Sequence, residues 1–221
     1  MTSAGLLRDR LQIHSLADSL FGENCYIVRR RDTQKVVIID PGLQADEVVR
    51  MVERDRLSVS HILLTHGHID HIAGVPSLQQ ATGAPVAMHS DDRGILDWDQ
   101  FAQLPFLPAG FHPFEIQNEI GQESTLALDD VSLRVLHTPG HTEGSICFLF
   151  GLDCFAGDTL FQRSIGRTDL PGGNSQKIVI SIRSVLYALP PKTAVHPGHG
   201  PATTIEEERL LNPFVPALRS P

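Results

Sequence analysis

Thr65-His66-Gly67-His68-Ile69-Asp70-His71 places three imidazoles and a carboxylate within six residues. They follow His61-Ile62-Leu63-Leu64, an apolar run that reads as a buried strand. Neutral imidazole is the commonest metal ligand, and a carboxylate beside it suits zinc, iron or manganese. Packing gives no reason to crowd four such groups at a strand exit, whereas ligand chemistry does. Gly67, between the first two histidines, is expected to free the backbone so that both rings can turn toward one point.

The rest of the chain supplies more donors of the same kind. His141 follows the turn Thr138-Pro139-Gly140, Asp158 follows the apolar run 146–156, and His199 lies in Pro197-Gly198-His199-Gly200-Pro201. Each ends an apolar segment in a Gly- or Pro-rich loop, where open sheets place their sites. His66, His68, Asp70, His71, His141, Asp158 and His199 are too many for one tetrahedral ion and suit two metals sharing a bridging group. The other histidines, His14, His61, His89, His112, His137 and His196, read as surface or core residues. His137, four residues before His141, is the reserve ligand.

On Asp40-Pro41-Gly42, His66-x-His68-x-Asp70-His71, His141, Asp158 and Pro197-Gly198-His199, the chain resembles the metallo-β-lactamase fold superfamily. Finer motifs make it similar to the hydroxyacylglutathione hydrolases, or glyoxalase II enzymes, in their short bacterial form without a C-terminal helical domain. These are Gly157-Asp158-Thr159-Leu160-Phe161, Ser164-Ile165-Gly166-Arg167-Thr168-Asp169-Leu170-Pro171-Gly172-Gly173, Pro197-Gly198-His199-Gly200-Pro201-Ala202-Thr203-Thr204-Ile205 and Asn212-Pro213-Phe214. The likeness runs from about residue 24 to 214 and implies one α/β domain over 1–221, an αββα four-layer sandwich.

The resemblance also implies roles. His66, His68 and His141 would hold one divalent ion, Asp70, His71 and His199 a second, and Asp158 would bridge them. Zinc comes first, with iron or manganese compatible. A carboxylate between two cations offsets their repulsion, and a bridging water would become a hydroxide nucleophile near neutral pH. Asp70 and Asp158 are thus the carboxylates at the reacting centre. The implied substrate is a small-molecule thioester, S-lactoylglutathione or a relative, whose thiolate (reference pKa about 8.5 for cysteine) leaves without a dedicated acid. Arg167 would clamp a glutathione carboxylate, unless it merely pairs with Asp169. Asp40 and Thr65 would brace ligating histidines, although Asp-Pro-Gly is also a plain turn signal. A rival of the same superfamily is a persulfide dioxygenase with one iron on His66, His141 and Asp158. A noncatalytic metal-binding protein ranks below both because no ligand is lost.

The elements that must position these groups are legible in outline. Val36 to Ile39 forms a β-branched strand, 45–56 a helix with Val48, Val49 and Val52 on one face, and 61–64 a strand, which suggests parallel pairing through a crossover. A short helix is expected over 76–82 and strands over 86–89, 133–136, 146–150 and 154–156. Residues 175–189 read as one helix with Ile178, Ile182, Val185, Leu186 and Leu189 in a stripe. Thr203-x-x-Glu206 or Thr204-x-x-Glu207 opens a last helix as a capping box. The segment 91–117, with Trp98, Phe101, Phe106, Phe111 and Phe114 among three prolines, reads either as an insertion over the site or at an interface, or as a cover for the core.

Composition bounds the rest. The chain has 221 residues, 41% apolar and 20% charged, as a soluble globular protein would. A net charge of −8 argues against nonspecific nucleic-acid binding. Arg29-Arg30-Arg31 reads as a hairpin turn. No apolar run nears the roughly 18 residues of a membrane span, and residues 1–20 show no continuous apolar core, so neither a membrane nor a secretory signal is expected. Cys25, Cys147 and Cys154 sit in strand-like runs, three unpaired thiols that fit a reducing cytoplasm.

Overall fold

The computed structural model describes residues 11–121, 125–128 and 131–216. Residues 1–10, half of the stretch read for an export signal, lie outside the described residues. Among those described, no helix is long and apolar enough to cross a membrane. Residues 11–121 make one compact unit and 125–216 a second.

The first unit comprises β1 (Leu11–Ala17), β2 (Asn24–Arg30), β3 (Lys35–Ile39), α1 (Ala45–Arg54), β4 (Ser58–Leu63), α2 (Ile69–Ile72), α3 (Val75–Thr82), β5 (Val86–His89), α4 (Trp98–Phe101) and β6 (Asn118–Ile120). Its sheet runs in chain order from β1 to β6. The first three strands pair antiparallel, and β3 through β6 pair parallel. The β3–α1–β4 crossover is therefore as the sequence suggests. Arg29 and Arg30 close β2, and the turn into β3 follows them. In α1, Asp46 and Glu47 sit in the first turn and Arg54 in the last, each sign at the end of the helix dipole that favours it. The helix stops two residues short of the expected 56, because Arg56 takes a left-handed φ of 52°. Val48 and Val52 pack with Cys25, Ile27, Val36, Ile38, Ile62 and Leu64, alternate residues of three strands. Trp98, Phe101, Phe111 and Phe114 join that core, with Trp98 and Phe114 ring centroids 5.1 Å apart, so of the readings for 91–117 these four follow the core cover. Phe106 instead meets Phe21 edge-on at 5.1 Å.

The second unit comprises β7 (Thr125–Leu128), β8 (Val131–His137), β9 (Ile146–Phe150), β10 (Asp153–Gly157), the hairpin β11 (Leu160–Phe161) and β12 (Ser164–Ile165), α5 (Ser175–Ser181), β13 (Ala194–Pro197), β14 (Thr203–Thr204) and α6 (Ile205–Leu211). Its main sheet has the order β14-β13-β10-β9-β8-β7, with only β10 and β13 parallel. The expected helix over 175–189 is not continuous. After α5 the chain widens into a π turn, Ile182–Leu186, closed by the Tyr187 N–H donating to the Ile182 carbonyl at 2.8 Å. The wider turn keeps Ile182 and Leu186 fully buried while Val185 is only partly so. Thr204, not Thr203, caps α6: its Oγ1 accepts the Glu207 N–H at 3.2 Å.

Candidate metal centre

In the first unit the His-rich loop leaves β4 beside the end of β3. Asp40 sits there with φ of 50°, a left-handed conformation that aspartate tolerates better than most residues. That conformation aims its buried carboxylate at the loop. Oδ1 accepts the Thr65 N–H at 2.7 Å, and Oδ2 accepts both the Thr65 hydroxyl at 2.6 Å and His71 Nδ1 at 3.0 Å. The Thr65 oxygen in turn accepts from His66 Nδ1 at 3.0 Å. With Nδ1 protonated in both rings, an assignment made from this network, Nε2 carries the lone pair that a metal needs.

His66 and His71 are buried. Their ring centroids lie 4.2 Å apart, and those of His66 and His68 lie 4.8 Å apart. His68 opens the single-turn helix α2, which carries Asp70 and His71; Asp70 Oδ2 is 3.8 Å from His71 Nε2. Gly67 serves differently from expectation. It has no left-handed φ. A Cβ there would sit 3.1 Å from Ile95 and 3.3 Å from Leu96, a tight approach to two side chains. Its N–H donates to the buried Asp92 carboxylate at 2.9 Å. Neither Asp92 nor Glu23 was legible as a site residue. Glu23 is fully buried, with Oε1 3.8 Å from His71 Nδ1 and Oε2 accepting from Gln44 at 2.8 Å. Burial pushes its carboxyl well above the usual carboxylate range, with neighbouring Asp40 and Asp70 acting the same way and His71 opposing.

The second unit gathers His141, Asp158 and His199. Asp158 Oδ2 lies 3.5 Å from His141 Nε2 and 3.6 Å from His199 Nε2. His141 Nδ1 donates to the Arg167 carbonyl at 2.8 Å. The Gly198 N–H donates to the Gly157 carbonyl at 2.8 Å, which ties the Asp158 and His199 loops together. Gly166 must lack a side chain, since a Cβ would lie 1.8 Å from the Asp158 carbonyl oxygen. Arg167 itself points outward and forks onto Asp169, Nε and Nη2 each 2.8 Å from a carboxylate oxygen. This pairing depresses the Asp169 carboxyl to about 2.

Each unit thus gathers His and Asp side chains of the kind that hold metal. The donor chemistry fits. Two ligands on one tetrahedral ion with bonds of 2.0–2.1 Å lie about 3.3 Å apart. The observed 3.5 and 3.6 Å separations are too long for hydrogen bonds and close to that spacing. His137, the reserve ligand, bonds through Nε2 to the Glu143 carbonyl at 2.9 Å. His196 pairs with Asp153 at 2.9 Å and stacks on Phe155, a packing role.

Known proteins resemble the chain over most of its length. The sequence profile of the Metallo-beta-lactamase superfamily matches residues 19–199. The hydroxyacylglutathione hydrolase GloC of Haemophilus influenzae is 35% identical over 212 residues, covering 93% of this chain and 98% of that protein. The structure of the BLEG-1 B3 metallo-beta-lactamase superposes with a TM-score of 0.84 at 34% identity, covering 92% of this chain and 99% of its own. That of ETHE1 from Myxococcus xanthus gives 0.78 at 31% identity, covering 92% and 84%. With its His- and Asp-bearing loops set at strand ends in both units, the chain belongs to the metallo-β-lactamase superfamily and has its fold.

Proposed function

We propose that this protein is a metal-dependent thioester hydrolase of the hydroxyacylglutathione hydrolase type. The observation that carries the reading is the 35% identity to GloC over nearly the whole of both chains, joined to an intact set of ligands. In this reading 1–221 is one functional domain in which the two clusters complete a single binuclear centre. His66, His68 and His141 hold one divalent ion, and Asp70, His71 and His199 the other. Asp158 serves both, and zinc is preferred over iron or manganese. When bound, the ions would supply a water-derived nucleophile at neutral pH and polarise the thioester carbonyl.

The chain's own residues do the rest. Asp158 and Asp70 hold negative charge beside the reacting carbonyl and keep the centre from overcharging. Asp40 and Thr65 keep His71 and His66 in the tautomer that binds metal. Arg167 takes a substrate carboxylate in exchange for Asp169, so its net contribution is smaller than that of an unpaired arginine. The thiolate product needs no proton donor. The partner is a small glutathione-derived thioester, with neither nucleic acid nor membrane, and three buried thiols outside disulfides are consistent with a cytoplasmic setting.

A second reading, the mononuclear-iron persulfide dioxygenase, is favoured by the likeness to ETHE1. A substrate panel separates the two. The hydrolase cleaves S-lactoylglutathione without oxygen; rapid oxygen uptake with glutathione persulfide and negligible thioester cleavage would overturn it.

A further inference from the structure

We propose that Glu208 and Asn212 of α6 position His141 by clamping the tip of the β11–β12 hairpin. The inference rests on the reading of His141 as a metal ligand. It starts from a buried acid with no part in the chemistry. The Glu208 side chain is fully buried in the first turn of α6. Burying a carboxylate is costly unless donors surround it, and here three do, each from a different segment. Oε2 accepts the Arg163 N–H at 2.8 Å and Asn212 Nδ2 at 2.8 Å, and Oε1 accepts the Thr203 hydroxyl at 2.7 Å. Asn212 Nδ2 also donates to the Ser164 carbonyl at 3.0 Å. Its Oδ1 accepts the N–H groups of Phe214 and Val215 at 3.0 and 3.3 Å. The Asn212-Pro213-Phe214 motif is therefore a turn that fixes the asparagine amide against the hairpin.

The hairpin needs such a hold. It has two residue pairs, Leu160 with Ile165 and Phe161 with Ser164, too few to stand alone. Arg163 at its tip takes a left-handed φ of 55°, disfavoured for arginine. The N–H of Arg163, in the turn, and the C=O of Ser164, the first residue of β12, are the groups gripped from α6 and its C-cap. At the other end the hairpin begins beside Asp158 and ends at Gly166, pressed onto the Asp158 carbonyl. The next residue, Arg167, supplies the carbonyl that takes His141 Nδ1. Holding the tip thus holds the acceptor that sets the His141 ring and its tautomer. Partners of this kind typically govern metal affinity by 10–100-fold, roughly; acting one step further back, Glu208 is expected to govern it by about tenfold.

The test is zinc affinity by chelator competition, with urea unfolding of the same proteins. Glu208→Ala and Asn212→Ala should each bind zinc about tenfold more weakly. Glu208→Gln should bind nearly as the parent, because its carbonyl oxygen can still accept from Arg163 and Asn212 while its amide faces the Thr203 hydroxyl. Thr203→Val loses the bonds to Glu208 Oε1 and Glu207 Oε2 but keeps both contacts to the hairpin, so it should lower urea stability and leave zinc affinity alone. Should Glu208→Ala not fold, Asn212→Ala carries the test. His141→Ala is the reference and must weaken zinc at least as much. Unchanged affinity in Glu208→Ala and Asn212→Ala beside a weakened His141→Ala overturns the clamp alone. Unchanged affinity in His141→Ala overturns the ligand reading and the clamp with it.

Discussion

The two His/Asp clusters are held by opposite means. In the first unit four donors lie within six residues, and side chains brace them: Asp40 accepts from Thr65 and His71, and Thr65 from His66. In the second, three donors come from loops 17 and 41 residues apart, and backbone braces them: the Arg167 carbonyl on His141 and the Gly157 carbonyl on the His199 loop. A local cluster needs side-chain props because one short loop must turn several rings at once. A dispersed cluster already has its spacing set by the sheet, so it needs its loops pinned. The first design is exposed to single side-chain changes in the props, and the second to changes in hairpins and helices that touch no ligand.

The largest expected effect falls where the proposed centre joins. Asp158→Ala should lower thioester turnover by several orders of magnitude and weaken at least one metal, since two cations would then face each other without an intervening anion. Near-normal turnover at full metal content would remove the bridging role.

Next comes the prop. Asp40→Asn keeps an acceptor for the Thr65 N–H but turns an amide donor toward the Thr65 hydroxyl and His71 Nδ1, both donors. Metal affinity should fall roughly 10–100-fold. Competition titration with a chelator reads this directly, and affinity within a factor of two or so of the parent would show that the loop holds its rings without Asp40.

Smaller is the effect at Arg167, whose fork already has a partner. A hydrogen bond to a charged group contributes about 1.5–3 kcal/mol, and exchange with Asp169 places Arg167→Ala near the low end. That is about a tenfold rise in KM with kcat little changed. Asp169→Ala should move KM the other way by freeing the guanidinium, and Arg167→Lys should recover only part. If Arg167→Ala leaves KM unchanged, the arginine serves only its ion pair.

The smallest effect is on stability and concerns Glu23. A carboxyl with its folded value raised binds its proton more tightly in the fold than in the unfolded chain. Its contribution is fully present below the ordinary value of 4.5 and is lost as pH rises toward the raised one. In metal-free protein, Glu23→Gln should therefore flatten the loss of stability above pH 4.5. Urea unfolding across pH checks this, and parallel curves for parent and variant would place the Glu23 proton elsewhere.

What could be read in the sequence follows from how local each feature is. The motif His66-x-His68-x-Asp70-His71 is legible because spacing alone puts four donors together. The β3–α1–β4 crossover is legible because β-branched runs and a valine stripe carry their own periodicity. Glu23 and Glu208 are not, because an acid beside a turn or on a helix looks solvated until the partners that bury it, Gln44 and His71 for one and Thr203 and Asn212 for the other, are in place. The π turn after α5 was hidden too, since the apolar stripe over 178–189 fits an unbroken helix equally well. At Gly67 the sequence suggests a special backbone conformation, whereas the φ is ordinary and packing alone shows Ile95 and Leu96 close beside it. The sequence points to the Arg167 guanidinium, whereas it is the Arg167 carbonyl that contacts His141.

The central claim, that the local and the dispersed cluster form one binuclear centre, is tested most directly by anomalous scattering from crystals grown with ample metal. Two fully occupied sites per chain are expected, one on His66, His68 and His141 and the other on Asp70, His71 and His199, with Asp158 touching both. A single fully occupied site on His66, His141 and Asp158, with His71 and His199 turned away, would contradict it and favour the dioxygenase.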